Sequence, residues 1–459
     1  MTVTSAPLLY TPSRVFSLYN SPRLADAVMA LERISLIADA TNELSKSVNT
    51  SISQTAPVSR WVRYREGYSP AIVEFLLRRF PMKSSDGYIF DPMCGSGSTQ
   101  VAAQRLGYYS AGTDVNPYAV LVSNVKTRPL RRTQRKVLEE AMRGSAFRGS
   151  SHRGKLADSD AYLARYFTDE NLRQLIHLRR WIADAFENEP VIRDFARVGL
   201  LSIVEACSNR RKDGNGLATR PSKISDPSSA LIAQLSLMLE DLANLGDEQP
   251  PSATYLISAL DIDSTVSLVD RAFKRELGAV IFSPPYANSF DYFESYKLEL
   301  LFGDFYDRDQ LQAARSNLIR NYRQSGLNTA KSDNELVESL IDEILARIPL
   351  KERRSGVVDG RSRLLPNLLR GYFQDMGRFL QRAARVMPSG SMMHLVVDQS
   401  AYLGVPIPTD LLLADLAEKE GLELESILIC RPAKTSAQQV LIQPMLKETL
   451  RESVISLRK

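Results

Sequence analysis

A short apolar run, Tyr88-Ile89-Phe90, leads straight into Asp91-Pro92-Met93-Cys94-Gly95-Ser96-Gly97-Ser98-Thr99. A stretch of helix formers follows, closed by Gly107, and then a second apolar run that ends in Thr113-Asp114-Val115-Asn116. A strand, a glycine loop, a helix and a strand joined this tightly leave few folds open. Parallel neighbours need a crossover, and a right-handed one packs back on its own sheet. The expected class is therefore α/β, with a parallel sheet of Rossmann-like kind. Residues 255–260, 279–282, 392–397 and 427–430 read as further strands, and 69–80, 368–386 and 409–420 as helices.

With 459 residues the chain exceeds one ordinary core, so a main domain carrying an insertion is expected. The text divides accordingly. Residues 1–58 form an arm with one helix around 24–44. Residues 59–125 hold the first half of the main domain, and 251–459 the second half. Between them, 126–250 reads as a mostly helical insertion (160–187 and 191–210) with a polar piece, Asn209 to Lys223. Hydrophobic residues are 44% and charged residues 24%, the balance of a globular chain. No run approaches the roughly 20 apolar residues that span a bilayer, and no basic leader precedes an apolar stretch, so a cytoplasmic chain without a membrane partner is expected. Three cysteines and three histidines are scattered, which supports neither a disulfide framework nor a metal site.

Glycines after a strand let a ligand approach the backbone, and the following helix offers free N–H groups. Asp114, at the end of the next strand, stands where an acid can accept from ribose hydroxyls. The spacing stops at Gly95-Ser96-Gly97, short of the fuller dinucleotide pattern, so a cofactor with one nucleoside and no pyrophosphate fits better. A glycine turn with purely structural duties is the bland alternative. Much later, Ser283-Pro284-Pro285-Tyr286 follows the apolar run Ala279-Val280-Ile281-Phe282. Paired prolines hold neighbouring carbonyls rigid at the carboxyl end of a strand, where open α/β sheets bind ligands, and such carbonyls can accept from an exocyclic amine. Tyr286 could stack on an extruded base. A surface loop or polyproline ligand would lie in a polar tract, which this is not.

Asp91 to Thr99 resembles the cofactor motif of DNA amino-methyltransferases, and Ser283 to Tyr286 resembles their catalytic motif in its cytosine-N4 form. Met93 stands where relatives have phenylalanine, and Ser98 where they have threonine. Tyr68-Ser69-Pro70 is similar to the element that completes the family's cofactor pocket. Asp261-Ile262-Asp263 lies where the family has an acid near the cofactor's adenine, with Asp261 and Asp263 both open for that place. Val386 to Gly390 resembles the turn before the fifth strand. The resemblance implies a Rossmann-like S-adenosylmethionine-dependent methyltransferase fold. It implies a cofactor site of Tyr68, Ser69, Pro70, Asp91, Pro92, Met93, Cys94, Gly95, Gly97, Thr99, Asp114, Val115 and Asn116 with Asp261 or Asp263, and catalysis by Ser283, Pro284, Pro285 and Tyr286. Double-stranded DNA and a cognate restriction endonuclease are the partners it implies.

Between Lys126 and Lys155 ten Lys or Arg stand against two acids, and 304–370 holds a second arginine set. Arg131, Arg132, Arg135, Arg320, Arg323, Arg361 and Arg363 are the candidates for phosphate contacts, with a solvated helix face as the alternative for each. Adenine N6 or an RNA amino group stays open as the target. A DNA-binding protein that keeps the fold without catalysis is the rival from another class.

Overall fold

The computed structural model describes all residues except 1–13, 49–54, 65–66, 83–86, 145–146, 148–157, 214–215, 246–247, 288–290, 316–318, 320–329, 356–359 and 361. Its strands are β1 (Ile37–Asp39), β2 (Tyr88–Asp91), β3 (Tyr109–Asp114), β4 (Arg210–Asp213), β5 (Gly216–Thr219), β6 (Ser252–Leu256), β7 (Leu277–Phe282), β8 (Met392–Asp398), β9 (Ser400–Tyr402), β10 (Val405–Ile407), β11 (Glu423–Pro432) and β12 (Arg451–Arg458). Eight of them form one sheet in the order β1-β11-β12-β8-β7-β2-β3-β6. Only β12 runs antiparallel to its neighbours there. From β2 the chain moves outward to β3 and β6, then returns to the other side of β2 for β7 and β8. That reversal opens a crevice beyond the carboxyl ends of the strands. The mostly parallel sheet with one reversed strand, covered by helices, is a Rossmann-like methyltransferase fold.

Alternation along the central strands builds two cores. Tyr88, Phe90, Val280, Phe282, Leu395 and Val397 point into one layer, beneath the helices Pro22–Ile34, Ile262–Phe273, Leu365–Val386 and Thr409–Lys419. Ile89, Ile281, Val396, Leu428 and Val454 point into the other, beneath Pro70–Arg79 and Ser98–Arg105. β2 is covered on both faces, so all four of its positions are buried and it is apolar up to its closing Asp91. No helix among the described residues is long and apolar enough to cross a membrane.

Between the helix Pro117–Thr127 and β6 the chain builds the helices Arg132–Arg143, Asp169–Ala185, Pro190–Cys207 and Pro227–Ala243. Leu175, Phe195, Val204, Leu235 and Met238 form their core, which continues into Tyr118 and Val122 and into Phe293, Tyr296 and Phe302. The helical part therefore packs onto both flanking halves. The polar piece 209–223 holds the β4–β5 hairpin.

Three segments differ from their sequence reading. The arm's single helix is Pro22–Ile34 followed by β1 and a short helix, Thr41–Leu44. Ser35 ends the first helix, its N–H bonding back to Leu31, and the next residues find a free edge on β11, pairing Ile37 with Ile427. The strand placed at 255–260 is Ser252–Leu256, because Ser258 accepts from the Leu260 N–H and turns the chain into a 3-10 helix. Finally, 451–458 forms β12. Its Ser453 and Ser456 are fully buried and break the apolar pattern, one donating to Asp410 and the other paired with His394 Nδ1. Arg451 anchors this strand, with Nε 2.7 Å from Asp410 and Nη1 3.1 Å from Glu32 on the first helix.

Candidate active site

The glycine loop begins where β2 ends. Gly95 (φ +49°) and Gly97 (φ +82°) both occupy the left-handed region. A Cβ on Gly97 would stand 2.5 Å from Ser123 Oγ, so this glycine lets the loop press against the helix Pro117–Thr127. A Cβ on Gly95 would stand 3.0 Å from the Tyr64 ring, which is stacked on Tyr296 with centroids 4.5 Å apart.

Asp91 is 2% exposed and surrounded by donors. Thr99 Oγ1 donates to its Oδ2 at 2.6 Å and the Tyr68 hydroxyl to the same oxygen at 3.1 Å, while the Met93 N–H donates to Oδ1 at 3.0 Å. The described residues set no cation against it. Burial consequently pushes the carboxyl up to about 7. A buried carboxylate with no counter-ion among the described residues can take an ammonium group, such as the amino-acid end of S-adenosylmethionine. Asp114 accepts from the Gly95 N–H at 2.9 Å and the Asn116 N–H at 2.8 Å, and burial raises it to about 6. Asn116 uses its side chain to cap the next helix, accepting from the Tyr118 N–H.

Both sequence motifs open into one cavity of about 340 Å³. Tyr68, Asp91, Pro92, Met93, Cys94, Gly95, Asp114, Val115 and Asn116 line it from one motif set, and Ser283, Pro285 and Tyr286 from the other. The Ser283 hydroxyl donates to the Val396 carbonyl at 2.9 Å, and the Tyr286 hydroxyl to Glu452 Oε1 at 3.0 Å.

Other candidates stand elsewhere. Ser69 and Pro70 start the helix Pro70–Arg79, Ser69 as its cap, and do not line the cavity. Thr99 and Gly97 stand behind the wall, and Pro284 is buried beside it. Asp261 and Asp263 lie outside the cavity, half exposed and 3.9 and 3.7 Å from Arg382. The wall after β6 is made instead by Ser258 and Ala259, because the chain turns there earlier than the sequence reading placed it. Arg131 and Arg132 are exposed at the start of the helix Arg132–Arg143, while Arg135 folds back to the Leu130 carbonyl. Arg363 is paired with both oxygens of Glu352 at 3.0 Å. Arg320, Arg323 and Arg361 lie outside the described residues.

Asp398, Arg431, Lys434 and Glu452 also line the cavity, and the sequence reading did not single them out. Asp398 is the last residue of β8, so an acid at the carboxyl end of a parallel strand was the available signal. Glu452 had none, since β12 itself was not recognised.

No family model matches the chain. Among curated proteins it is similar to Type II methyltransferase M.AvaI of Nostoc sp. (strain PCC 7120 / SAG 25.82 / UTEX 2576), 26% identical over 90% of this chain and 89% of that protein. Type II methyltransferase M.BsoBI of Geobacillus stearothermophilus is 24% identical over 91% of this chain and 89% of its own. Type II methyltransferase M.MvaI of Kocuria varians is 22% identical over 75% and 77%. Among solved structures, the rRNA methyltransferase aviRa from Streptomyces viridochromogenes covers 89% of this chain and 92% of its own, but at 11% identity and a TM-score of 0.30 it adds nothing to the argument. A likeness that runs along nine tenths of the chain, on a sheet of this order and over a pocket of this chemistry, has one reading: the chain is an S-adenosylmethionine-dependent methyltransferase, a distant relative of the type II methyltransferases.

Proposed function

We propose that the chain is a site-specific DNA methyltransferase that methylates the N4 amino group of a cytosine rotated out of the duplex. The observation that carries this reading is the shared cavity: the ammonium seat at Asp91 and the Ser283-Pro284-Pro285-Tyr286 turn border one space. Kinship with type II methyltransferases supports a DNA substrate and a place beside a restriction endonuclease reading the same site.

The chain's own groups suit an aromatic amine, whose lone pair is delocalised into its ring. Ser283 commits its only proton to the Val396 carbonyl, so its oxygen is left to accept. Acceptance by Ser283 and by the Pro284 carbonyl would hold both N–H groups and turn the nitrogen lone pair out of the ring plane. Tyr286, tethered through its hydroxyl to Glu452, offers a fixed face on which the base can stack. When bound, S-adenosylmethionine supplies an electrophilic methyl carbon that the amine takes in line. The amine proton then leaves to water, and no nucleophilic cysteine is required. The exposed Arg131 and Arg132 are suited to phosphate contacts that orient the duplex.

The test is to treat unmethylated genomic DNA with the protein and labelled S-adenosylmethionine, digest it to nucleosides and identify the labelled one by mass spectrometry. N4-methylcytosine is expected. N6-methyladenine, or label on no base, would overturn the reading.

A further inference from the structure

Two carboxylates face each other at the Tyr286 end of the cavity. Asp398 on β8 and Glu452 on β12 are direct cross-strand partners, and both line the cavity wall. Like charges in that relation repel, and at this depth they cannot both ionise without large cost. Their surroundings decide between them. Glu452 receives the Tyr286 hydroxyl on Oε1 and the Arg431 guanidinium on Oε2. Asp398 receives neither, and its Oδ1 is buried without a hydrogen-bond partner among the described residues. Glu452 is thus the anion, and the proton of the pair rests on Asp398. The strand also fixes this acid beside the catalytic turn: Val396, whose carbonyl takes the Ser283 proton, lies two residues before Asp398 on β8.

We propose that Asp398 is a neutral carboxylic acid that reads the edge of the target base, its O–H donating to cytosine N3. The inference rests on the cytosine reading above. An ionised carboxylate would only accept and would face the N3 lone pair, so the acid form alone makes this contact. The groups facing Asp398 agree with this. Burial first, then Glu452 and Asp410, raise it, while Arg431 and Lys434 lower it, and the balance stands at about 8.

The sign that follows is distinctive. If the acid form does the work, methyl transfer falls as pH rises through about 8. The experiment measures single-turnover transfer of labelled methyl to unmethylated genomic DNA between about pH 6 and about pH 10. It uses wild type, Asp398→Asn and Asp398→Ala, with the S-adenosylmethionine dissociation constant of each variant as a check on folding. Asparagine keeps an N–H donor at every pH. Asp398→Asn should therefore stay within about tenfold of wild type and lose the alkaline fall, whereas Asp398→Ala should drop about hundredfold or more throughout. A rate that climbs with pH, or an asparagine variant as inactive as the alanine one, would overturn the proposal by making Asp398 a proton acceptor, and an alanine variant as active as wild type would overturn it by making Asp398 a bystander. Nucleoside analysis of the wild-type product separates the two failures. N4-methylcytosine alongside an inactive asparagine variant overturns the Asp398 assignment alone, and N6-methyladenine overturns the cytosine reading and the N3 contact with it.

Discussion

Thr99 donates its hydroxyl to Asp91 Oδ2 at 2.6 Å, from the first turn of the helix that the glycine loop begins. The contact turns a helix start into a positioning device for a carboxylate on the preceding strand. Replacing Asp91 by alanine should weaken S-adenosylmethionine binding by about hundredfold or more, since a charge-assisted contact is lost. Thr99→Val, which removes one donor, should weaken it by about tenfold. Calorimetric titration checks both, and an unchanged affinity in Asp91→Ala would remove this carboxylate from the cofactor seat.

The same carboxyl gives cofactor affinity a pH dependence. In the free protein burial holds Asp91 up at about 7, above its ordinary value, so below that pH it is mostly neutral. An ammonium ligand favours the anion. Affinity should thus fall by up to about tenfold per pH unit as pH drops from 7 towards 5. Titration across that range in wild type and Asp91→Asn checks it, and the asparagine variant should show a flat profile.

Tyr286 separates into a ring and a hydroxyl. Tyr286→Phe keeps the ring and loses the hydroxyl's contacts with Glu452 and Ser283, so single-turnover transfer should fall about tenfold. Tyr286→Ala also loses the stacking surface and should fall about hundredfold or more. Ser283→Ala should fall comparably. All three should bind S-adenosylmethionine as wild type does, and unchanged turnover in both alanine variants would reject this end of the cavity as the site.

Arg451 is buried between Asp410 and Glu32. Arg451→Leu leaves two buried carboxylates without their cation, which should destabilise the protein by about 3–5 kcal/mol. Denaturant unfolding measures this, and a loss below about 1 kcal/mol would show that the pair is solvated or replaced.

The sheet was legible where strands are covered on both faces, because β2, β7 and β8 then read as continuous apolar runs. It was illegible at its far end. β1 is three residues long and exists only because β11 offers an edge, and β12 carries buried serines whose partners, Asp410 and His394, come from distant segments. No local pattern contains those partners. The cavity was legible on the same terms. The glycine loop and the proline turn announce themselves, since each must bend the backbone in a particular way. Asp398 and Glu452 matter through their position on neighbouring strands, which is known only once the register is known.

β12 enters the sheet between two strands that precede it in sequence, β8 and β11. Until residues 451–458 are in place, those two strands have nothing between them. Each then presents a bare edge of N–H and C=O groups of the kind that recruits other chains. Tyr286 meanwhile lacks Glu452. A folding chain can therefore assemble its glycine loop without β12, while the Tyr286 end of the cavity is completed only when β12 fills the gap.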